Sequence, residues 1–411
     1  MQIKKYIKTD QSFANLLSAR CRICDENQLD KLFEWPEFPI FIWPIQQGAR
    51  QEYERLQVYW CPGCGLVQLD RFDPAFIKKL YSKEVFGLVA SGEFKATVAR
   101  NNRFLEYCSE QLGERWADGK KLLDIGGYDV LTCCELNFAE GVICDPNAPA
   151  EILESRVRIV TDFFSRKYFE QSHFDVVVAR HLLEHINDLS DFMDDLRYVL
   201  RDGGQLLIEV PELLGSIRSK GAFAVFYHQH VMYFDEVSLR NLLLRFGFKV
   251  LYAGIDNHLI RVIAQKQPLV REIVTYEKNM EVPWKVRQYR IGLDEYFGEL
   301  IAFLEAVSRE KIVCYGAGGG TTLLLNLCRP VRDYIEIVVD SSRNKIGKQV
   351  GGMDFIIKSP EAIAALPGRS ILVNSDMFFN EIVDGLRANY RDRNHQILKI
   401  FSNFESFSLA N

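Results

Sequence analysis

Between residues 120 and 211 the chain alternates short apolar, β-branched runs with amphipathic stretches. This alternation narrows the fold more than any other feature. "KLLDIGG", "EGVICDP", "SRVRIVTDF", "FDVVVAR" and "GGQLLIEVP" read as strands. "LSDFMDDLRYVL" and "VSLRNLLLRFGF" have helical periodicity. Strands separated by helices stack in parallel, because the helices serve as crossovers. The series closes on "KVLYAGID" and "LIRVIAQK", joined only by Asn257 and His258, a link that permits an antiparallel pair and is too short for a crossover. The predicted class is α/β: an open, mostly parallel sheet with an antiparallel edge hairpin. A long charged amphipathic stretch follows and reads as a connecting helix. Beyond it, "KIVCYGAGGG", "TTLLLNLC", "IEIVVDSS" and "RSILVNSD" spell out a second α/β unit.

The first part of the chain is different. It is rich in loops, prolines and aromatics ("FEWPEFPIFIWP"), and it needs a staple. Cys21-Arg-Ile-Cys24 and Cys61-Pro-Gly-Cys64 supply one. Four thiolates satisfy tetrahedral Zn²⁺ with no open position, which is a structural site. The alternative is four unrelated buried thiols. The other six cysteines lie in helix or strand patterns and read as small core residues. The expected organisation is a zinc-binding domain over 1–80, a ligand-binding α/β domain over 81–266, a helical connector over 267–308 and a Rossmann-like domain over 309–411.

Charge and hydropathy exclude some functions. The net charge of −5 leaves no broad basic footprint for nucleic acid or an anionic membrane. No apolar run is long enough to span a bilayer, and "MQIKKYIKTDQSF" has no apolar core of a secretory signal. The expected location is the cytoplasm, where cysteines stay reduced. Oligomeric state is not legible.

"LLDIGGYDV" sets Asp124, Gly126 and Gly127 at the end of the first strand, and Asp145-Pro146 ends the next. Glycine lets a backbone approach a ligand closely, and an acidic side chain after the second strand accepts ribose hydroxyls. The pattern serves NAD and S-adenosylmethionine alike. A full GxGxxG is missing here, and the pyrophosphate of a dinucleotide needs those close approaches. Asp162-Phe163, after the third strand, suits adenine: a carboxylate for the exocyclic amine and a ring to stack on. Arg180 ends the fourth strand and joins the cofactor set. After it, His181, Glu184 and His185 share one face if helical, but they do not form HExxH.

"AVFYHQHVMYF" holds two of the seven histidines. Tyr227-His228-Gln229-His230 reads in three ways: a metal site, a buried polar patch, or a catalytic base with its support. It follows the fifth strand, at the carboxyl edge where open α/β sheets place ligands.

Taken in order, CxxC…CxxCGLVQL, "LLDIGG", "HLLEHINDL", "EVPEL…YHQH…YF" and "CYGAGGGTTLLLN…IVVDSSRNKIGKQVGG" resemble the sugar C-methyltransferases that make branched deoxysugars on nucleotide carriers. The resemblance spans almost the whole chain. It implies a zinc-binding N-terminal domain, a central seven-stranded class I methyltransferase domain using S-adenosylmethionine, and a C-terminal Rossmann-like domain that closes over a nucleotide-sugar substrate. It implies carbon methylation beside a ketone, through an enolate. His230 falls on the family's general base, His181 on a second active-site histidine, and Tyr81 on an active-site tyrosine. Tyr227, His228, Glu184 and His185 are expected to contact substrate, and Lys345 its diphosphate. Gln229 falls where the family has glutamate, and Val130 where its turn has glycine. These departures keep open an O-methyltransferase, a C-methyltransferase acting on a non-sugar substrate, and a binding protein without activity. An NAD enzyme built on the C-terminal unit is a further alternative.

Overall fold

The computed structural model describes residues 20–72, 76–77, 80, 95–127, 132, 136–148, 157–218, 222–256, 258–268, 275–308, 310–366, 368–376, 378–401 and 403–410. They form three sheets.

The first unit opens with β1 (Asp30–Pro39), β2 (Tyr53–Trp60) and β3 (Val67–Leu69), an antiparallel meander. Its cysteines sit in two knuckles of like build. Gly65 N–H bonds the Cys61 carbonyl at 2.9 Å and Asp25 N–H bonds the Cys21 carbonyl at 3.1 Å. Both turn residues have positive φ, +82° for Gly65 and +61° for Asp25. The turn needs a left-handed residue; glycine takes it freely, and aspartate tolerates it. The turns bring Cys21 Sγ to 3.4 Å from Cys64 Sγ and Cys24 Sγ to 3.4 Å from Cys61 Sγ, with all four sulfurs within 4.8 Å of one another. A tetrahedron of thiolates about 2.3 Å from Zn²⁺ puts its sulfurs about 3.8 Å apart, so the residues fit the ion. Cys108, Cys144, Cys314 and Cys328 are buried.

Arg22, between the first two cysteines, is buried. Its Nη1 donates to the Leu69 carbonyl at 2.7 Å, and its Nη2 to the Asp70 carbonyl at 2.8 Å and to Asn187 Oδ1 at 3.1 Å. Its Nε reaches the Asn187 carbonyl at 3.3 Å. Asn187 in turn exchanges hydrogen bonds with the main chain of Phe72. The knuckle is thereby fastened to the second unit.

That unit carries β4 (Lys121–Ile125), β5 (Glu140–Cys144), β6 (Val157–Val160), β7 (Phe174–Arg180) and β8 (Leu200–Pro211). A two-residue strand, β9 (Met232–Tyr233), follows, and then the hairpin of β10 (Phe248–Asp256) and β11 (Leu259–Lys266). The sheet order is β10-β11-β8-β7-β4-β5-β6, parallel from β6 to β8 and antiparallel at β11 and β10. This is the seven-stranded class I methyltransferase arrangement. The chain leaves β4 toward β5 and returns beside β4 at β7, so the order reverses there and opens a crevice at the carboxyl ends. Strand β9 does not join this sheet: it extends the first one, with Val67 opposite Tyr233 and Gln68 opposite Met232.

Helices α1 (Lys95–Leu112), α2 (Leu189–Val199), α3 (Leu213–Ser216) and α4 (Glu236–Arg245) accompany these strands, and α5 (Glu281–Val307), about 40 Å of rod, follows them. Tyr289 Oη donates to the Ala222 carbonyl at 2.8 Å and Tyr296 Oη to the Ile400 carbonyl at 2.9 Å, so the helix ties the second unit to the third. The third sheet has the order β14-β13-β12-β15-β16-β17: β12 (Ile312–Tyr315), β13 (Ile335–Val339), β14 (Ile357–Lys358), β15 (Ser370–Val373), β16 (Gln396–Lys399) and β17 (Glu405–Ser408). All its pairings are parallel except β16 with β17.

Two outcomes are expected. Elemental analysis of purified protein finds about one zinc per chain. Arg22→Ala retains that zinc but lowers the melting temperature by several degrees, because it strands three buried carbonyls; calorimetry checks it.

Candidate active site

The carboxyl ends of β4, β5 and β7 border a cavity of about 450 Å³. Its floor is the turn after β4. Gly126 has φ +81°, and a Cβ at position 127 would collide with the Asp124 carboxylate. The first glycine is required by backbone conformation and the second by space. Asp145 stands at the next strand end, and its Oδ1 accepts the Asn147 N–H at 2.6 Å. Phe163, 45% exposed, forms part of the wall with Phe164 and Phe192. Two carboxylates at neighbouring strand ends, a glycine cradle and an aromatic wall fit S-adenosylmethionine.

Two of the expected cofactor residues are engaged by partners within the chain. Asp162 does not line the cavity. Its Oδ1 accepts the Phe163 N–H at 2.8 Å and its Oδ2 accepts from Tyr168 Oη, so the carboxylate closes its own turn. Arg180 reaches the cavity wall, but its Nη1 donates to Asn101 Oδ1 at 2.6 Å and Thr132 Oγ1 at 3.1 Å, and its guanidinium lies over Phe104.

A smaller cavity of about 160 Å³ adjoins the first, lined by Glu184, Tyr227, His230 and Tyr233 among others. His185 lines the first cavity and packs edge-on against His230, with ring centroids 4.7 Å apart. The His185 Nδ1–H donates to the Gln229 carbonyl at 2.7 Å, which leaves Nε2 as the acceptor nitrogen. Tyr227 Oη and His230 Nε2 share a hydrogen bond of 2.6 Å. The Val231 N–H bonds the Glu184 carbonyl at 2.7 Å, which pins the "YHQH" loop to the turn after β7.

His181 begins that turn with φ +48°, a left-handed conformation uncommon outside glycine. The bend puts its Nε2 3.3 Å from Glu209 Oε1 and its Nδ1 3.6 Å from Glu184 Oε1. Burial opposes a charge on His181, but the two carboxylates outweigh it and hold the pKa above the usual histidine range. Burial likewise opposes charge on Glu184; His181, His185 and His230 reverse this and draw it down to about 2. Glu209 is also drawn down to about 2, by His181, Arg180 and Arg261 acting against burial. His230 is pushed down to about 3 by burial and by His185, with Glu184 opposing, and burial also lowers His185. At neutral pH the site holds two ionised carboxylates and two neutral imidazoles.

The structure does not bring His228 or Lys345 to either cavity. His228 is fully buried between Phe38, Phe72 and Phe76, and burial pushes its pKa down to about 4. "YHQH" is a tight turn, closed by the His230 N–H on the Tyr227 carbonyl at 3.0 Å, and within it His228 enters the core. Lys345 pairs with Asp340 at 2.9 Å in the third unit. Asp340 also accepts the Ala317 and Ser342 N–H groups, and Ile42 lies against Gly319, where a Cβ would meet its Cδ1 at 3.0 Å. The acidic residue and the glycine turn of this Rossmann-like unit are thus occupied by the chain itself, which argues against an NAD site. Tyr81 and Val130 lie outside the described residues.

Sequence reasoning missed Asn187 in the cavity wall, and Glu209 and Arg261, the buried pair behind His181. Glu209 and Arg261 stand directly opposite each other on β8 and β11, 2.7 Å apart, and both are buried. A charge inside each of the apolar runs "LLIEV" and "LIRVIA" was the available signal. Asn187 lines the first cavity while holding Arg22.

Gly127→Ala forces the Asp124 carboxylate to move and is expected to weaken S-adenosylmethionine binding about tenfold or more, with the fold retained; titration calorimetry reads it.

Residues 99–253 match the family described as methyltransferase domain, and residues 252–400 match the C-methyltransferase C-terminal domain. Among curated proteins the chain is similar to C-methyltransferase NovU of Streptomyces niveus, 25% identical over 223 residues, covering 51% of this chain and 53% of that protein. The match thus spans about half the length of that relative. Solved structures similar to the chain include a putative S-adenosylmethionine-dependent methyltransferase from Listeria monocytogenes (12% identity, TM-score 0.33, 41% of this chain and 98% of that one). Another is an S-adenosylmethionine-dependent methyltransferase from Mesorhizobium loti (13% identity, TM-score 0.31, 44% and 100%). The chain thus carries a methyltransferase domain that runs directly into a C-methyltransferase C-terminal domain.

Proposed function

We propose that the protein methylates a carbon beside a ketone on a nucleotide-linked sugar, with His230 as general base. The observation that carries this reading is the join between the two cavities. His185 faces the larger cavity, and the His230–Tyr227 pair faces the smaller one, with the two imidazoles in contact. A base, a hydroxyl and a cofactor cavity thus meet at one point.

A ketone acidifies the hydrogen on the neighbouring carbon. In the proposed step that C–H bond breaks, its electron pair moves into the enolate, and the proton passes to the neutral imidazole of His230. The Tyr227 hydroxyl is near enough to follow the proton or to donate to the developing oxyanion. S-adenosylmethionine, when bound, supplies an electrophilic methyl on a sulfonium that leaves as a neutral thioether. Asp124, Asp145 and the glycine turn would hold it. The proton on His230 is then released to solvent.

The sugar and its nucleotide carrier rest on the family resemblance and on the relation to NovU, which is itself described as a C-methyltransferase. The 160 Å³ of the smaller cavity suits a single hexose-sized ring better than a bulky polycyclic acceptor. Among the described residues no helix is long and apolar enough to cross a membrane.

The test is solvent deuterium exchange at the carbon beside the ketone, using nucleotide-linked 4-keto sugars. Wild-type protein is expected to exchange that hydrogen and to add one methyl there, read by product mass. His230→Ala is expected to lose about 10²–10⁴-fold in exchange while still binding S-adenosylmethionine. Methylation of a hydroxyl without exchange would replace this reading with an O-methyltransferase.

A further inference from the structure

Gln229 stands where the family resemblance places a glutamate, and a glutamine cannot stabilise an imidazolium by charge. The main chain of Gln229 has a separate role, since its carbonyl fixes the tautomer of His185. The missing negative charge is nevertheless present, on another element. Glu184 lies in the single turn Leu183–His185, is 2% exposed, and offers a carboxylate oxygen within 4.8 Å of a ring nitrogen of both His185 and His230. The same carboxylate is 3.6 Å from His181. Neither of its oxygens accepts a hydrogen bond among the described residues. Buried carboxylates are normally satisfied by donors, so this one is held by the three imidazoles around it.

We infer that Glu184 is the positioning residue that supplies the anionic partner of the base: it makes the neutral, buried histidines at the cavity join able to take up a proton. The inference rests on the reading of His230 as a base in the proposed function, but its first test does not. The chemistry is a balance of two effects. Burial keeps His185 and His230 neutral, hence ready to accept, but also makes them poor holders of a proton. A carboxylate a few ångströms away restores that capacity, because the imidazolium forms beside a negative charge and the pair is neutral overall. Glu209 cannot substitute. Its charge is already met by Arg261 at 2.7 Å and Arg180 at 3.4 Å, and it faces His181 alone among the histidines. The other groups facing the cluster are Tyr227, which bonds His230, and Arg100, which disfavours charge on His181.

The experiment uses the full-length, zinc-loaded chain with isotope-labelled histidine, followed by NMR against pH without substrate. Glu184→Gln is expected to lower the titration midpoint of His181 by about one unit or more, since an opposite charge at this range shifts a pKa by about 1–3 units. Glu184→Asp keeps the charge and is expected to retain most of the midpoint; it also serves if Glu184→Gln fails to fold. In the exchange assay Glu184→Gln is expected to lower kcat about tenfold with KM little changed, and Gln229→Ala, which keeps the carbonyl, to lose less. An unmoved His181 midpoint in Glu184→Gln overturns the inference. So does uptake of a second metal ion per chain, in dialysis against Zn²⁺ or Mn²⁺, that disappears in this variant, because Glu184 would then be a metal ligand. Shifted midpoints without any sugar turnover would keep the electrostatic role and remove the sugar reading.

Discussion

The buried guanidinium of Arg22 is the interaction on which the rest of the structure depends. Burying a charge is expensive unless every face of it is met by acceptors. Arginine can meet that demand because its planar fork reaches several acceptors at fixed angles. Here the acceptors belong to two different parts of the chain: the carbonyls after β3 and both oxygens of Asn187. The cysteine knuckle holds the root of the arginine, and Asn187 sits in the wall of the larger cavity. A metal-binding turn and a ligand-binding wall therefore share one set of hydrogen bonds. Loss of one is felt at the other through geometry alone, with no moving part.

A second buried charge system lies deeper, and it divides the work between two carboxylates. Glu209 is fixed across the sheet by Arg261 and reinforced by Arg180, which in turn is held by Asn101 and Thr132. It behaves as part of the scaffold. Glu184, one turn from His181, makes no ion pair with an arginine among the described residues and faces His181, His185 and His230. The contrast follows from position. Glu209 is on a central strand with a neighbour in register, whereas Glu184 is in a short turn forced by the left-handed backbone at His181.

The sheet and the two knuckles were legible because they rest on local patterns. Five apolar runs and a tight hairpin mark the strands of the second sheet and its antiparallel edge, the class I order came from the family resemblance, and paired cysteines declare their own constraint. The glycine pair after β4 was legible as a turn; its second member is explained only by the Asp124 carboxylate packed beneath it. Other features depend on contacts between residues far apart in the chain. Arg22 reads as a surface cation between two cysteines, and nothing nearby announces Asn187. His228 and His230 look equivalent in "YHQH", yet one enters a phenylalanine core and the other a cavity. Asp162 and Lys345 had the right residue type for ligand contacts but found partners in their own turns. A polar side chain's assignment depends on which donor or acceptor reaches it first, and sequence spacing does not carry that information.

Strand β9 has only two residues, but they are hydrogen-bonded into the sheet of the first unit. They directly follow His230 and Val231. The loop that carries His230 is thus stitched at one end to the turn after β7 and at the other to a sheet built around the cysteines. A boundary drawn near residue 80 would cut through a shared sheet, leaving an unpaired edge on one fragment and an untethered histidine on the other. The two units are therefore poor candidates for independent shuffling, whether by recombination or by protein engineering. Any exchange of the first unit with a related one has to carry the loop and its strand along with it.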